Sequence, residues 1–299
     1  MFLEGLNTSS EVFPTYWAAY VHATLVRAVS MGRQDIIQNW SAAAGGNQVY
    51  FSPADDSLLS GVAIVKDHQV GVVAFQGTLT TYQTLQQILN LTQGTFPGVP
   101  GTVNGYYGAC FFERKAAFQN AINALPPGFR LYFTGHSAGG AIAQVAFNWF
   151  RYNSNITAWG CMTFGQPRAG NPTFANSTPR PYLRWIAQDD FIPGLPPNTF
   201  QAFALLGPIA TNILGVNYRH ARSGWLLMDN GTVRAGDSAI IDTWGPPLAN
   251  PFLRLRVAWP ELLNAHFLQN YTTLLLPLTR NEPSNPGLAQ FVAMNAQMG

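Results

Sequence analysis

The sequence predicts an α/β fold, a central and mostly parallel sheet with helices on both faces, and three observations carry that expectation. Residues 130–134 alternate and are rich in β-branched and aromatic types; from Ala138 the pattern shifts to helical spacing at Ile142, Val145, Ala146, Trp149 and Phe150. Residues 158–165 are almost entirely apolar, as a strand covered on both faces must be. Residues 182–187 repeat such a strand and deliver Asp189 and Asp190 at its carboxyl end, where open α/β sheets hold their sites.

The remaining elements follow in chain order. Residues 14–29 read as a helix opened by Pro14 and apolar at Trp17, Tyr20, Val21, Leu25 and Val29, with His22 a surface or packing residue. After a turn-rich span, 42–60, residues 61–66 and 70–75 read as paired strands around Asp67-His68. Phe75-Gln76-Gly77-Thr78 closes the second strand. A glycine there lets the backbone pass close to a substrate, and the Thr78 N–H and hydroxyl are potential oxyanion donors.

Residues 81–91 are amphipathic, with Tyr82, Leu85, Ile88 and Leu89 on one face and the amides Gln83, Gln86, Gln87 and Asn90 on the other. Periodicity alone fits a mobile cover or a core-packed helix equally well. A single helix is predicted over about 106–125, burying Phe111, Phe118 and Ile122 and ended by Pro126-Pro127-Gly128. Residues 217–233 suggest a hairpin turning at Asp229-Asn230-Gly231. A last apolar stretch, opened by Trp259-Pro260-Glu261, carries His266 and Tyr271. The Pro/Asn-rich residues 277–299 read as a peripheral tail. No repeat or linker divides the chain, so 1–299 reads as one domain.

Composition narrows the function. The 299 residues are 47% hydrophobic but only 10% charged, against roughly 25% in an ordinary globular protein. A net charge of +2 without a basic cluster points away from nucleic acid and from acidic partners. Cys110 and Cys161 make no disulfide scaffold; one bridge or two buried thiols fit equally, and no metal-ligand spacing accompanies them. Seven N-x-S/T sequons (Asn7, Asn39, Asn90, Asn155, Asn176, Asn230 and Asn270) with only two lysines favour an extracellular protein. Met1-Phe2-Leu3-Glu4 has an acid where a signal peptide wants bases, so no signal peptide is expected in this chain. Nor is a transmembrane span: the long uncharged stretch 69–112 is interrupted by Gly94, Pro97, Gly98, Pro100 and Gly101. A monomer is expected.

Between the strand at 130 and the helix at 138 lies Gly135-His136-Ser137-Ala138-Gly139, a G-x-S-x-G match. A serine on a sharp strand-to-helix turn presents its Oγ, and the helix N-terminus beside it favours a developing negative charge. The hydroxyl needs a base to take its proton, and the base needs an acid to hold its tautomer. Among five histidines, His136 should point away from Oγ across the turn. In the chain order Ser, Asp/Glu, His, the bases left are His220 and His266, and the acid is Asp189 or Asp190.

Four blocks resemble the fungal-type class 3 triacylglycerol lipases of the α/β-hydrolase superfamily. They are Phe75-Gln76-Gly77-Thr78, the run from Thr134 to Gly140, the run from Thr163 to Asn171, and the run from Asp190 to Pro197. The weaker Tyr218-Arg219-His220 and His266…Tyr271 matches extend the resemblance over about 60–275. It implies an α/β-hydrolase fold and a catalytic Ser137, Asp190 and His266, with His220 structural. It further implies an oxyanion hole from Thr78 and Ala138, a lid within about 79–100, no cofactor or metal, and a lipid ester substrate at a lipid–water interface. Gln76, Ala138 and Asn104 depart from the family's usual arginine, leucine and histidine. Two other readings of the scaffold are a polar-ester hydrolase of the feruloyl type and a non-catalytic lipid binder. Neither suits this chain as well, because 79–100 is apolar and uncharged and no triad position is lost.

A lid of this composition makes a measurable prediction. Closing the Tyr82, Leu85, Ile88 and Leu89 face over Ser137 buries side chains worth roughly 1.5–3 kcal/mol each when fully covered, and a lipid surface removes the penalty for opening. Hydrolysis of a long-chain ester should therefore rise where the substrate begins to form droplets. Leu85→Ser with Leu89→Ser should flatten that rise more than it slows a soluble short-chain ester; equal losses on both would make the helix ordinary core.

Overall fold

The computed structural model describes residues 16–43, 49–52, 62–67, 70–77, 92–124, 128, 130–155, 157–188, 190–196, 217–222, 224–236, 266–280 and 288–298. Ten strands and eight helices lie among them. The strands are β1 (Val49–Ser52), β2 (Val62–Asp67), β3 (Val70–Phe75), β4 (Gln93–Gly94), β5 (Val103–Asn104), β6 (Arg130–His136), β7 (Thr157–Phe164), β8 (Tyr182–Ala187), β9 (Gly224–Leu227) and β10 (Val233–Gly236). The helices are α1 (Tyr16–Ser30), α2 (Gln34–Ala43), α3 (Gly105–Phe112), α4 (Lys115–Asn123), α5 (Ala138–Asn153), α6 (Pro172–Ser177), α7 (Leu268–Thr279) and α8 (Leu288–Ala296).

Eight strands form one sheet in the order β1-β2-β3-β6-β7-β8-β9-β10. From β3 through β9 all neighbours are parallel, and the antiparallel pairs β1-β2, β2-β3 and β9-β10 occupy its two sides. This is the predicted fold class. The strand period of two sorts its side chains into two cores. Val72, Ala74, Tyr132, Met162 and Phe164 pack on one face with α1, α7 and α8. Val73, Phe75, Leu131, Phe133 and Cys161 pack on the other with α3, α4 and α5. Parallel strands deliver their carboxyl ends to one edge, so His136, Phe164 and Ala187 all end there.

Helix α1 is buried on nearly all sides, well beyond the single stripe that its periodicity suggests. The Thr24 hydroxyl donates to Tyr20 O at 2.8 Å, while the His22 ring meets Tyr132 edge-on with neither of its nitrogens hydrogen-bonded among the described residues. The Arg27 guanidinium donates to Asn295 Oδ1 at 2.7 Å and to the Met298 carbonyl. That contact overturns the expectation of a peripheral tail. Met294 and Met298 are 4% and 3% exposed within the α1 core, and α7 continues through Pro277 to Thr279. Proline-rich composition concealed a short apolar helix.

The predicted single helix over 106–125 is two helices. The Arg114 N–H turns back to Phe111 O at 3.2 Å and breaks the first, after which Lys115 opens the second. Both halves stay on one apolar face, Phe111 stacking on Phe118 at 6.3 Å, so the sequence period runs unbroken across the joint. Of the expected lid within about 79–100, residues 79–91 lie outside the described residues, as does Thr78. The downstream end of that stretch is packed: Val99 is buried, Phe96 stacks on Phe112 at 5.1 Å, and β4 pairs with β5. Both cysteines are buried free thiols, and no helix among the described residues is long and apolar enough to cross a membrane.

Three buried histidines couple this fold to pH. Burial pushes His22 down to about 3 from the ordinary 6.5, and His136 and His220 are also lowered. The folded chain keeps these rings neutral, whereas the unfolded chain takes up protons below about pH 6.5. Stability is thus fully present above that pH and falls as pH drops toward the folded values. Each ring contributes up to about 1.4 kcal/mol per pH unit. In urea titrations between pH 7.5 and 5, His22→Phe should show a shallower loss than the parent chain; parallel slopes would remove His22 from the account.

Candidate active site

Ser137 stands between β6 and α5 with φ 55° and ψ −132°, a left-handed backbone that costs a non-glycine residue about 1–3 kcal/mol. The surroundings hold it there. Its N–H donates to Phe164 O at 2.9 Å, and its own carbonyl accepts from Gly140 N–H at 2.9 Å. The two glycines of the motif are required by contact: a side chain at Gly135 would strike the Gly139 carbonyl, and one at Gly139 would strike the Gln76 carbonyl. The first turn of α5 therefore lies against the end of β3. Ala138 opens α5, where N–H groups have no acceptor within the helix.

Asp190 follows β8 and is 3% exposed. His266 Nδ1 lies 3.0 Å from its Oδ1 and 2.9 Å from its Oδ2. The Tyr271 hydroxyl donates to Oδ2 at 2.5 Å, and the Ile192 N–H donates to Oδ1 at 3.0 Å. A carboxylate only accepts, so the His266 proton sits on Nδ1 and Nε2 carries a lone pair. Burial first, then the Asp190 charge, raises the Tyr271 phenol well above its ordinary range, which keeps it a donor. His266 Nε2 and Ser137 Oγ are both buried, and neither has a hydrogen-bond partner among the described residues. Gly165, one residue beyond the carbonyl that holds Ser137, leaves room for the pair. A Cβ there would stand 2.8 Å from Asp190 Oδ2 and 2.9 Å from His266 Cε1.

The loop bearing Asp190 is clamped from two sides. Arg168, fully buried, donates its Nη1 to the Gly194 carbonyl and, at 2.6 Å, to the Pro196 carbonyl; its backbone N–H donates to Leu195 O at 2.7 Å. His220 Nε2 donates to Pro193 O at 2.5 Å. Burial, then the Arg184 and Arg168 charges, hold His220 well below its ordinary value, so it is a neutral donor. Of the two histidines that chain order left open, His266 meets the acid and His220 holds the loop behind it. Asp189 and Thr78 lie outside the described residues; Gly77, just before Thr78, donates its N–H to Ser30 Oγ at 3.4 Å.

Residues that sequence reasoning passed over also converge here. His136 was expected to stand aside, yet its ring lies 4.6 Å from that of His266. Behind α5, Gln144, Gln166, Tyr182 and Thr178 form a buried network, with Gln166 Nε2 donating to Gln144 Oε1 at 2.6 Å. Among the described residues, no cluster of His, Cys, Asp or Glu could hold a metal ion.

The comparisons with known proteins fall on this same region. The Lipase (class 3) family profile matches residues 72–200, which hold Ser137 and Asp190. The chain is 38% identical over 80 residues to a lipase of Rhizomucor miehei, covering 25% of this chain and 22% of that one. It is 41% identical over 90 residues to secreted mono- and diacylglycerol lipase 1 of Fusarium solani, covering 29% and 26%. These matches span about a quarter of each relative's length. The structure of the Rhizomucor miehei triacylglyceride lipase superposes with a TM-score of 0.55 at 21% identity, over 81% of this chain and 93% of that one, and shows the fold. Residues 72–200 are thus similar to the class 3 lipases, and the chain shares the fold of the Rhizomucor miehei enzyme.

Proposed function

We propose that the chain is a serine carboxylic-ester hydrolase acting on acylglycerol esters, built as one α/β-hydrolase domain. The observation that carries this reading is the buried His266 held through Nδ1 by Asp190, its Nε2, like the Oγ of Ser137 in its strained turn, buried without a hydrogen-bond partner among the described residues. His266 Nε2 takes the Ser137 proton as Oγ attacks the ester carbonyl carbon. Asp190 stabilises the imidazolium that results. The oxyanion is received by the Ala138 N–H at the start of α5 and by the Thr78 N–H. Collapse breaks the bond to the leaving oxygen, which takes the proton from His266. Water, deprotonated by the same nitrogen, then releases the acid from Ser137.

Substrate class rests on composition and kinship. The segment 69–112 carries no charge, and relatives are named as mono- and diacylglycerol lipases, so a lipid ester presented at a lipid–water interface fits best. An extracellular setting is supported by secreted relatives and by the exposed positions of Asn39, Asn155, Asn176 and Asn230 in their sequons. We further propose a monomer.

The test is a p-nitrophenyl ester chain-length series on the parent chain and four variants. Ser137→Ala, His266→Ala and Asp190→Asn should each lose about a thousandfold or more in kcat. His220→Ala, below its own melting temperature, should stay within about tenfold of the parent, because it touches the acid loop and not the reacting atoms. A Ser137→Ala chain that keeps a tenth of the turnover, or a His220→Ala loss matching that of His266→Ala, would overturn the assignment.

A further inference from the structure

Asp190 and Tyr271 set the direction of the His266 ring, but neither fixes the main chain from which that ring hangs. His136 does. It ends β6 immediately before Ser137, and its Nε2 lies 2.6 Å from the carbonyl oxygen of His266. A carbonyl only accepts, so Nε2 carries the His136 proton and Nδ1 is bare. The two imidazoles lie face to face, 4.6 Å apart and tilted by 32°. Tyr271 closes the far side edge-on at 5.9 Å. On the Nδ1 edge stands Gly77, where a Cβ would come within 3.1 Å of Nδ1 and 2.9 Å of the His136 carbonyl.

We infer that His136 is a positioning residue, a strut from the nucleophile's chain neighbour to the backbone of the base. The inference rests on His266 being that base. One hydrogen bond ties the Ser137 turn to the His266 main chain, so the distance between the two does not depend on the Asp190 contact. The stacked face has a second effect. During attack His266 becomes a cation, and a neutral π face beside it is attractive where a second cation would repel. His136 is suited to stay neutral: burial, then the neighbouring His266, disfavours its protonation. Its Gly77 contact places the same ring against the strand end that leads into the proposed oxyanion residue. One side chain thus spaces nucleophile, base and oxyanion loop, without touching substrate.

Side-chain geometry separates the donor from mere filling. His136→Phe keeps a stacked ring and removes the N–H. His136→Gln loses the ring but places an amide N–H at the reach of Nε2, whereas His136→Asn places it at the reach of Nδ1. The readout is the rate at which Ser137 is covalently modified by diethyl p-nitrophenyl phosphate, together with kcat and KM on a soluble butyrate ester. His136→Phe should be modified about 10- to 100-fold more slowly, with kcat lowered in step and KM within threefold. His136→Gln should recover at least a third of the parent rate. Where His136→Phe fails to fold, His136→Asn replaces it in the comparison with His136→Gln. A folded His136→Phe chain modified at the parent rate overturns the strut, as does a Gln variant no faster than Asn or Phe. His266→Ala separates the two levels of argument: modification at the parent rate there would defeat the proposed base itself. Its failure to react, alongside unaffected His136 variants, would defeat only the strut.

Discussion

A carboxylate buried as deeply as Asp190 is the demanding feature of this molecule. Removing such a charge from water costs several kcal/mol unless donors surround it. Here the donors are the Ile192 N–H of its own loop and the His266 ring and Tyr271 hydroxyl from the far end of the chain. The need for those two side chains binds the stretch 266–280 to the end of β8. Around it, the fold resolves a further problem, a loop whose turns leave carbonyls pointing inward. Arg168 and His220 answer three of them, at Pro193, Gly194 and Pro196.

Asp190 supplies the only carboxylate at His266 among the described contacts, and the neighbouring titratable rings, His136, His220 and Tyr271, are all shifted toward their neutral forms. In a low-dielectric setting a stray charge would disturb the base far more than it would in water. Neutral donors can be packed closely without competing with the one charge that matters.

The parts legible in sequence were those with a local signature. The change of period at Ser137 marked β6 and α5, and the apolar runs marked β7 and β8, because each pattern is complete within one element. Chain order alone left His220 and His266 open; in the fold His266 meets Asp190 and His220 meets the Pro193 carbonyl, and such neighbours are not encoded in spacing. The break at Arg114 was hidden because both helices face one core, so the apolar rhythm continues across it. The helix holding Met294 was hidden by the prolines before it. His136 was set aside as base because its side chain should point away from Oγ; its bond to the His266 carbonyl is a long-range contact that no local pattern signals. Arg168 was not singled out, since its hydrogen bonds to Gly194 and Pro196 run to backbone carbonyls, which every residue carries.

The pairing of α1 with α7 also has a meaning in time. Tyr20 and Leu25 share one core with Tyr271 and Leu275, so the first described helix finds its partner only after some 240 further residues have been made. During synthesis, which proceeds from the amino end at about 5–20 residues per second, β3, β6, β7 and β8 can emerge while that face of the sheet is still uncovered. His266, the proposed base, and Tyr271, which donates to Asp190, arrive on the same segment that finally covers it. Until that segment is made, Ser137 and Asp190 are present without the proposed base.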